Sequence, residues 1–276
     1  MTTLRGGLAA ATARLAAAGV PSPRYDAEEL AAFSLGIERR DLWRHDEPGA
    51  HFETYVGRRA GREPLQHITG RAYFRHLTLA VGPGVFVPRP ETEVVAGAAI
   101  AAARALPEPV VVDLGTGSGA IALAVADEAP HATVHAVEAD PVAHSWAARN
   151  CAGTAVDLRH GDMADAFADL DGTVDVVVSN PPYIPVGAQV RDPEVAAHDP
   201  AVALWSGADG LDAVRVVERV AARLLRPGGT VVVEHADLQG RSAPAILTLA
   251  GGWSDVRDHV DLAGRDRYLV ATRGCD

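Results

Sequence analysis

The first seventy residues place apolar side chains at helical spacing and contain almost no alternating stretch. Leu4 to Ala18 reads as one helix and "SPRYDAEELAAFSLG" as a second, with Ser22 and Pro23 as start signals and Gly36 as a stop. Between 71 and 88, "RAYFRHLTLAVGPGVFVP" changes to period two, with aromatic and β-branched residues broken by Gly82, Pro83 and Gly84, which predicts a β-hairpin. Beyond it, helical and strand patterns alternate. A helix is expected over 91–105, then strand "PVVVDLG", a helix from 119, strand "TVHAVEAD", a helix over 141–150 and a short strand "AVDLRHGD". Strand "VDVVVSN", a helix after Gly210, strand "GTVVVEH", another helix and two strands near 253–258 and 267–272 complete the order. Such alternation predicts an α/β fold in which a parallel sheet carries helices on both faces. The expected division is a helical domain over 1–70, a hairpin linker over 71–88 and a Rossmann-like domain over 89–276.

Composition narrows the class. Of 276 residues, 48% are apolar and 22% charged, ordinary usage for a chain that buries a sizeable core. A net charge of −11 argues against extended nucleic-acid binding, because phosphate contacts need clustered basic residues. Cys151 and Cys275 stand far apart with no zinc spacing, and none of the eleven histidines pairs with Cys or Glu at ligand spacing. No metal and a reducing, cytoplasmic compartment are therefore expected. The Ala-rich start carries Arg5 and Arg14 and reads as an amphipathic helix, so neither a leader nor a membrane span is expected.

Chemistry concentrates at the ends of the predicted strands. In "VVVDLGTGSGAIAL", Gly115, Gly117 and Gly119 form a strand-to-helix turn that allows a ligand to approach the backbone. Asp113 stands just before that turn. The next strand ends in Glu138, placed to grip both hydroxyls of a ribose. The third ends in Asp162 and Met163, an acceptor for an adenine amino group and an apolar cover for its ring. Three carboxylates would repel a pyrophosphate, whereas S-adenosyl-L-methionine carries a sulfonium and an ammonium and no phosphate. A nicotinamide cofactor is the alternative, but Ala120 only partly satisfies its glycine pattern.

The fourth strand runs into "VVSNPPYIP". Pro181 and Pro182 remove two backbone donors and fix φ, leaving the surrounding carbonyls aimed as acceptors. Together with the Asn180 side-chain oxygen, the Pro181 carbonyl could accept both hydrogens of one planar NH2 group, while Tyr183 stacks on its plane. A conjugated nitrogen is a poor nucleophile until it is positioned and polarised. These residues leave open whether the NH2 belongs to a glutamine or to a nucleobase.

The motif series resembles the release-factor glutamine methyltransferase family, the PrmC/HemK type. "REPLQHITG" at 62–70, "FVPRPETE" at 86–93, "DLGTGSGAIAL" at 113–123, "NPPYI" at 180–184 and "GADGLD" at 207–212 follow that family's order over nearly the whole length. His67 and Ala236 depart from it, standing where Tyr and Gly are frequent. The resemblance implies a Rossmann-like class I S-adenosylmethionine-dependent methyltransferase sheet with a small helical domain that docks the substrate protein. It implies N5-methylation of the glutamine in the Gly-Gly-Gln motif of class I peptide chain release factors, by a monomer. The alternative activity is methylation of another planar NH2, in a ribosomal protein or a nucleobase. The family's cofactor residues carry over onto Gly115, Thr116, Gly117, Ser118, Gly119, Glu138, Asp162, Met163 and Asn180, joining Asp113. Its substrate-amide residues carry over onto Asn180, Pro181, Pro182 and Tyr183. Arg89 and Glu91 in "PRPETE" could shape the cofactor entrance or pin the hairpin to the sheet.

Overall fold

The computed structural model describes residues 3–190 and 192–275. Along the chain come α1 (Leu4–Ala17), α2 (Pro23–Leu35), α3 (Phe52–Ala60), α4 (Leu65–Thr69), β1 (Arg71–Phe74), β2 (Leu77–Ala80) and α5 (Thr92–Arg104). They are followed by β3 (Val110–Leu114), α6 (Ala120–Glu128), β4 (Thr133–Glu138), α7 (Pro141–Cys151), β5 (Asp157–His160), β6 (Val174–Ser179) and α8 (Pro193–His198). Last come α9 (Asp212–Leu224), β7 (Leu225–Glu234), α10 (Ser242–Ala250), β8 (Trp253–Val260) and β9 (Asp266–Arg273).

Two compact units emerge. The first comprises Met1–Arg71, Val81–Pro83 and Val190–His198. Its helices end as their sequences dictate: Thr3 caps the start of α1, Pro23 opens α2, and Gly36 closes α2 in the left-handed region at φ 68°. Leu15, Leu30, Phe52 and Val56 form the centre of its core, each at most 1% exposed. The segment at 190–198, expected within the Rossmann-like domain, clusters instead with these helices. Electrostatics supplies the reason. Buried Arg59 holds Asp26 at 2.6 Å and Glu194 of α8 at 2.9 Å, and Arg62 reaches the same Glu194 at 2.8 Å. Burial raises the Asp26 carboxyl above its ordinary range, against the opposing pull of Arg59.

The second unit takes Ala72–Ala80, Gly84–Gln189 and Asp199–Asp276, so the hairpin β1–β2 belongs to it. Asn150 of α7 fixes that hairpin: its side chain accepts from the Ala80 amide at 2.8 Å and donates to the carbonyls of Ala80 and Ser118, each at 2.9 Å. The main sheet has seven strands in the order β5-β4-β3-β6-β7-β9-β8. The five strands from β5 to β7 are parallel, as the alternation requires, but β9 runs antiparallel to both β7 and β8. The expectation of a wholly parallel sheet is corrected by the short turn at 261–265, since a connection without a crossover can join only antiparallel neighbours.

Both sheet faces are covered. Val112, Leu114, Val177, Val231 and Val233 face one core together with Val214, Val217, Val220, Ala221 and Leu224 of α9. That helix buries its apolar stripe at i, i+3, i+4 and i+7, as an amphipathic helix on a sheet must. Helices α5 and α6 pack against the sheet as well. The chain leaves β3 towards one edge through β4 and β5, then returns to β6 on the other side of β3. This reversal opens the crevice at which doubly wound sheets receive ligands.

Candidate active site

Strand register brings the predicted chemistry level. Leu114 pairs with Val137, Glu138 with His160, and Asp113 with Val178, so the residues following β3, β4, β5 and β6 emerge side by side at the carboxyl edge. Gly115 and Gly117 sit at φ 72° and 59°, where a side chain is strained, and a Cβ on either would meet nothing within 4 Å. The turn therefore presents bare backbone to an open space. Gly119 is also left-handed at φ 85°, but a Cβ there would touch Cys151 and Leu123 at 3.4 Å, so it serves close packing against α7.

Asp113 takes a different position from the other acids. It is 1% exposed, and its Oδ2 accepts from the Thr116 hydroxyl at 2.6 Å and the Ala122 amide at 3.1 Å. Thr116 and Ser118 are buried too. Burial pushes the Asp113 carboxyl up to about 7. Asp113 thus holds the loop from inside, with its Oδ1 buried and unpartnered among the described residues.

Glu138 lies half-buried across the loop. One carboxylate oxygen accepts from the Gly117 amide and the other from the Asp140 amide, each at 2.9 Å. Each oxygen keeps a further lone pair, the requirement for gripping two adjacent hydroxyls. Exposed Asp162 caps the short turn after β5 with one oxygen on the Ala164 amide at 2.9 Å, leaving the other available. Met163 packs against the core with part of its surface open. Bare backbone, carboxylate acceptors and one thioether suit a cationic nucleoside without phosphate, so these residues fit the expected cofactor.

The tetrapeptide after β6 is held from behind. Ser179 donates to the Leu114 carbonyl at 2.7 Å, locking the end of β6 to the strand that carries the glycine turn. Ile184 and Val186 then zip onto the 204–207 segment through backbone hydrogen bonds of 2.8 to 2.9 Å. Gly210, within "GADGLD", allows the closest approach: a Cβ there would fall 2.4 Å from the Tyr183 carbonyl. Gln239 fills the remaining gap, accepting from the Ala236 amide at 2.9 Å and donating to the Tyr183 carbonyl at 3.0 Å.

The side chains of Asn180 and Tyr183 are each held by a buried residue, Thr92 and Glu234 respectively. Asn180 Nδ2 donates to the Thr92 hydroxyl oxygen at 3.2 Å. The buried carboxylate of Glu234 accepts from the Tyr183 hydroxyl at 3.3 Å. The Asn180 amide nitrogen is thus engaged with Thr92, while its Oδ1 takes no hydrogen bond among the described residues. Burial raises Glu234 to about 7, and burial beside Glu234 raises the Tyr183 phenol.

Thr92, Glu234 and Gln239 escaped the reading of the sequence. Thr92 sits inside the "PRPETE" motif, directly after Glu91. Glu234 carried the same signal that marked Asp113 and Glu138, an acid ending a buried apolar strand. Arg89 pairs with Asp199 at 2.7 Å and lies over the Phe86 ring, while Glu91 meets Arg265 at 3.4 Å. Among the described residues, no three potential ligands gather around a metal position, and no helix is long and apolar enough to cross a membrane.

Comparison with known proteins decides the family. The chain is 59% identical to a release factor glutamine methyltransferase of Streptomyces coelicolor over 99% of both chains. The chain belongs to the release factor glutamine methyltransferase family. A second member, from Mycolicibacterium smegmatis, is 51% identical over 99% of each chain. A 4-amino-L-phenylalanine/4-methylamino-L-phenylalanine methyltransferase of Streptomyces pristinaespiralis is 43% identical over 91% of this chain and 89% of its own. Residues 8–70 match the PrmC N-terminal domain and residues 77–196 the methyltransferase small domain. The 16S rRNA N2 G1207 methyltransferase of T. thermophilus, solved with AdoMet and guanosine, shares the fold at a TM-score of 0.52 and 23% identity, covering 74% of this chain and 49% of that one. The family and fold expected from the motif series are borne out.

Proposed function

We propose that the protein transfers a methyl group from S-adenosyl-L-methionine to the side-chain amide nitrogen of a glutamine in peptide chain release factors. Full-length identity to the family supports the reaction and the substrate protein. The observation that carries the chemistry is the orientation of Asn180 at the carboxyl edge of β6, whose Nδ2 is committed to Thr92 while Oδ1 takes no hydrogen bond among the described residues. The target within the release factor is the glutamine of Gly-Gly-Gln, and the helical unit docks the partner protein. The related aryl-amine methyltransferase also acts, by its name, on a nitrogen conjugated to a π-system.

The cofactor supplies an electrophilic methyl on a sulfonium. Gly115 and Gly117 would admit it against bare backbone, Glu138 would take the ribose hydroxyls, and Asp162 with Met163 would receive the adenine. Thr116, Ser118 and Asp113 keep the loop in shape from beneath. The glutamine NH2 is then held by two acceptors, Asn180 Oδ1 and the Pro181 carbonyl, with Tyr183 covering the amide plane. Fixed acceptors favour the positive charge that develops on nitrogen, and they align its lone pair with the methyl. The nitrogen becomes acidic as charge builds, so its proton can leave to water and no side-chain base of matched pKa is required. Incubating the purified enzyme with a release factor and methyl-labelled cofactor, followed by peptide mass spectrometry, tests the assignment. Label on the Gly-Gly-Gln glutamine is expected, and label absent from the release factor would refute it.

A further inference from the structure

Two successive residues of the glycine turn are held from the two ends of α7. At the start of the helix, Asp140 caps the Val142 and Ala143 amides at 2.8 and 2.9 Å, and Glu138 joins the Asp140 amide to that of Gly117. At its end, Asn150 Nδ2 donates to the Ser118 carbonyl at 2.9 Å. The same side chain holds the end of β2, accepting from the Ala80 amide at 2.8 Å and donating to the Ala80 carbonyl at 2.9 Å. These partners leave it one orientation, since an N–H can only donate and a carbonyl can only accept. One acceptor and two donors on so short a stem are what asparagine supplies; an ionised Asp has no donor, and Gln is longer by a methylene.

Fixing the hairpin needs only the two Ala80 bonds. The third acts on the turn. Ser118 is 3% exposed, and the peptide that follows it is tied on both sides, its carbonyl to Asn150 and the Gly119 N–H to the Thr116 carbonyl at 2.9 Å. Glycines flank Ser118 at φ 59° and 85°, and their wide conformational range leaves it to such bonds to fix the peptide plane. Released from Asn150, the turn has several shapes in place of one, and a ligand that fits one of them binds more weakly by the fraction in which that shape is populated.

We propose that Asn150 is a positioning residue for the cofactor, which keeps the glycine turn in its ligand-ready shape by pinning the Ser118 carbonyl to α7 and to the end of the hairpin. This rests on the reading of the glycine turn as the seat of S-adenosyl-L-methionine. Close packing completes the joint. A Cβ on Gly119 would lie 3.4 Å from Cys151 Sγ and 3.8 Å from Ala147 Cα, so turn and helix are in contact where Asn150 bridges them. At the other end of α7, a Cβ on Gly84 would fall 2.5 Å from Val142 Cγ1, so the chain beyond the hairpin also rests on this helix. The helix is thereby braced from one side while it holds the turn from the other.

The test uses the intact enzyme without its protein substrate, with S-adenosyl-L-methionine binding read by titration calorimetry and backbone hydrogen exchange over 113–123 by mass spectrometry. Asn150→Leu should weaken cofactor affinity roughly tenfold, as when the competent shape falls to about a tenth of the population, and should speed exchange in the turn of the free enzyme. Asn150→Asp, which still accepts from the Ala80 amide, should lose affinity likewise. Arg75→Met is the control: it frees the hairpin at its turn by removing the bonds to Glu128 and to the Glu93 carbonyl, and should leave cofactor affinity at the wild-type level. Equal losses in Asn150→Leu and Arg75→Met would assign the effect to the hairpin, and undiminished affinity in Asn150→Leu would leave the Ser118 bond without a role; either overturns the proposal. A Gly115→Val enzyme that binds the cofactor as tightly as wild type would instead overturn the reading of the turn beneath it.

Discussion

Truncating Asn180 separates acceptor chemistry from scaffolding. Its side chain makes one protein hydrogen bond among the described residues, Nδ2 to Thr92 at 3.2 Å, and it is half-buried. Asn180→Ala therefore leaves one hydroxyl lone pair unsatisfied, a loss of about 1 kcal/mol in stability. The backbone course changes little, because Ser179, Ile184, Val186 and Gln239 hold the segment on either side. The catalytic loss is larger. Removing one of two preorganised acceptors should raise the barrier by about 2.7–4 kcal/mol, which is two to three powers of ten in kcat. Cofactor affinity should suffer much less, since the glycine turn, Glu138 and Asp162 remain. Single-turnover methylation of a release factor would give the rate, and calorimetric titration with the cofactor its affinity. Near-normal kcat, or a loss confined to cofactor affinity, would refute the acceptor role.

Three further substitutions probe the supports. Gly210→Ala places a Cβ 2.4 Å from the Tyr183 carbonyl at a φ of 78°, and should cost about 2 kcal/mol or more in denaturant unfolding while lowering kcat; unchanged turnover would separate that loop from the site. Arg59→Met strands buried Asp26 and leaves Glu194 to Arg62 alone, and should destabilise the helical unit by about 3–5 kcal/mol, much of it recovered by adding Asp26→Asn; a neutral result would mean the ion pairs carry no structure. Asp113 is raised in the folded chain to about 7 from an ordinary 3.8, so its contribution to stability is complete below the ordinary value and is lost as pH climbs to the raised one. Asp113→Asn should remove about 1.4 kcal/mol per pH unit of slope from the part of that window where the wild type releases this proton. Urea unfolding at pH 5, 6 and 7 measures this, and an identical slope in both proteins would contradict it.

Much of this site was legible because strands that are apolar on both faces are conspicuous, and the residues ending them stand out. Glu138 and Asn180 came from that signal and Asp162 from ending the short strand β5, and the register confirms that they emerge level. The same signal at Glu234 was passed over, since its partner Tyr183 lies 51 positions away and only the fold brings them together. Asp113 looked like its neighbours in the sequence, yet it falls on the buried side of the pleat and supports the loop from within. The placement of Val190–His198 with the helical unit depends on Arg59 and Arg62 reaching Glu194, a long-range pairing that no local pattern encodes. Antiparallel β9 followed from the brevity of one turn.

The central claim is that the free Asn180 oxygen and the Pro181 carbonyl receive a glutamine amide, and site-resolved mass spectrometry tests it most directly. A purified release factor would be incubated with this enzyme and methyl-labelled S-adenosyl-L-methionine. A single methyl on the side-chain nitrogen of the Gly-Gly-Gln glutamine, much slower to appear with Asn180→Ala, is the predicted result. An unlabelled release factor, or equal labelling by both enzymes, would contradict the account.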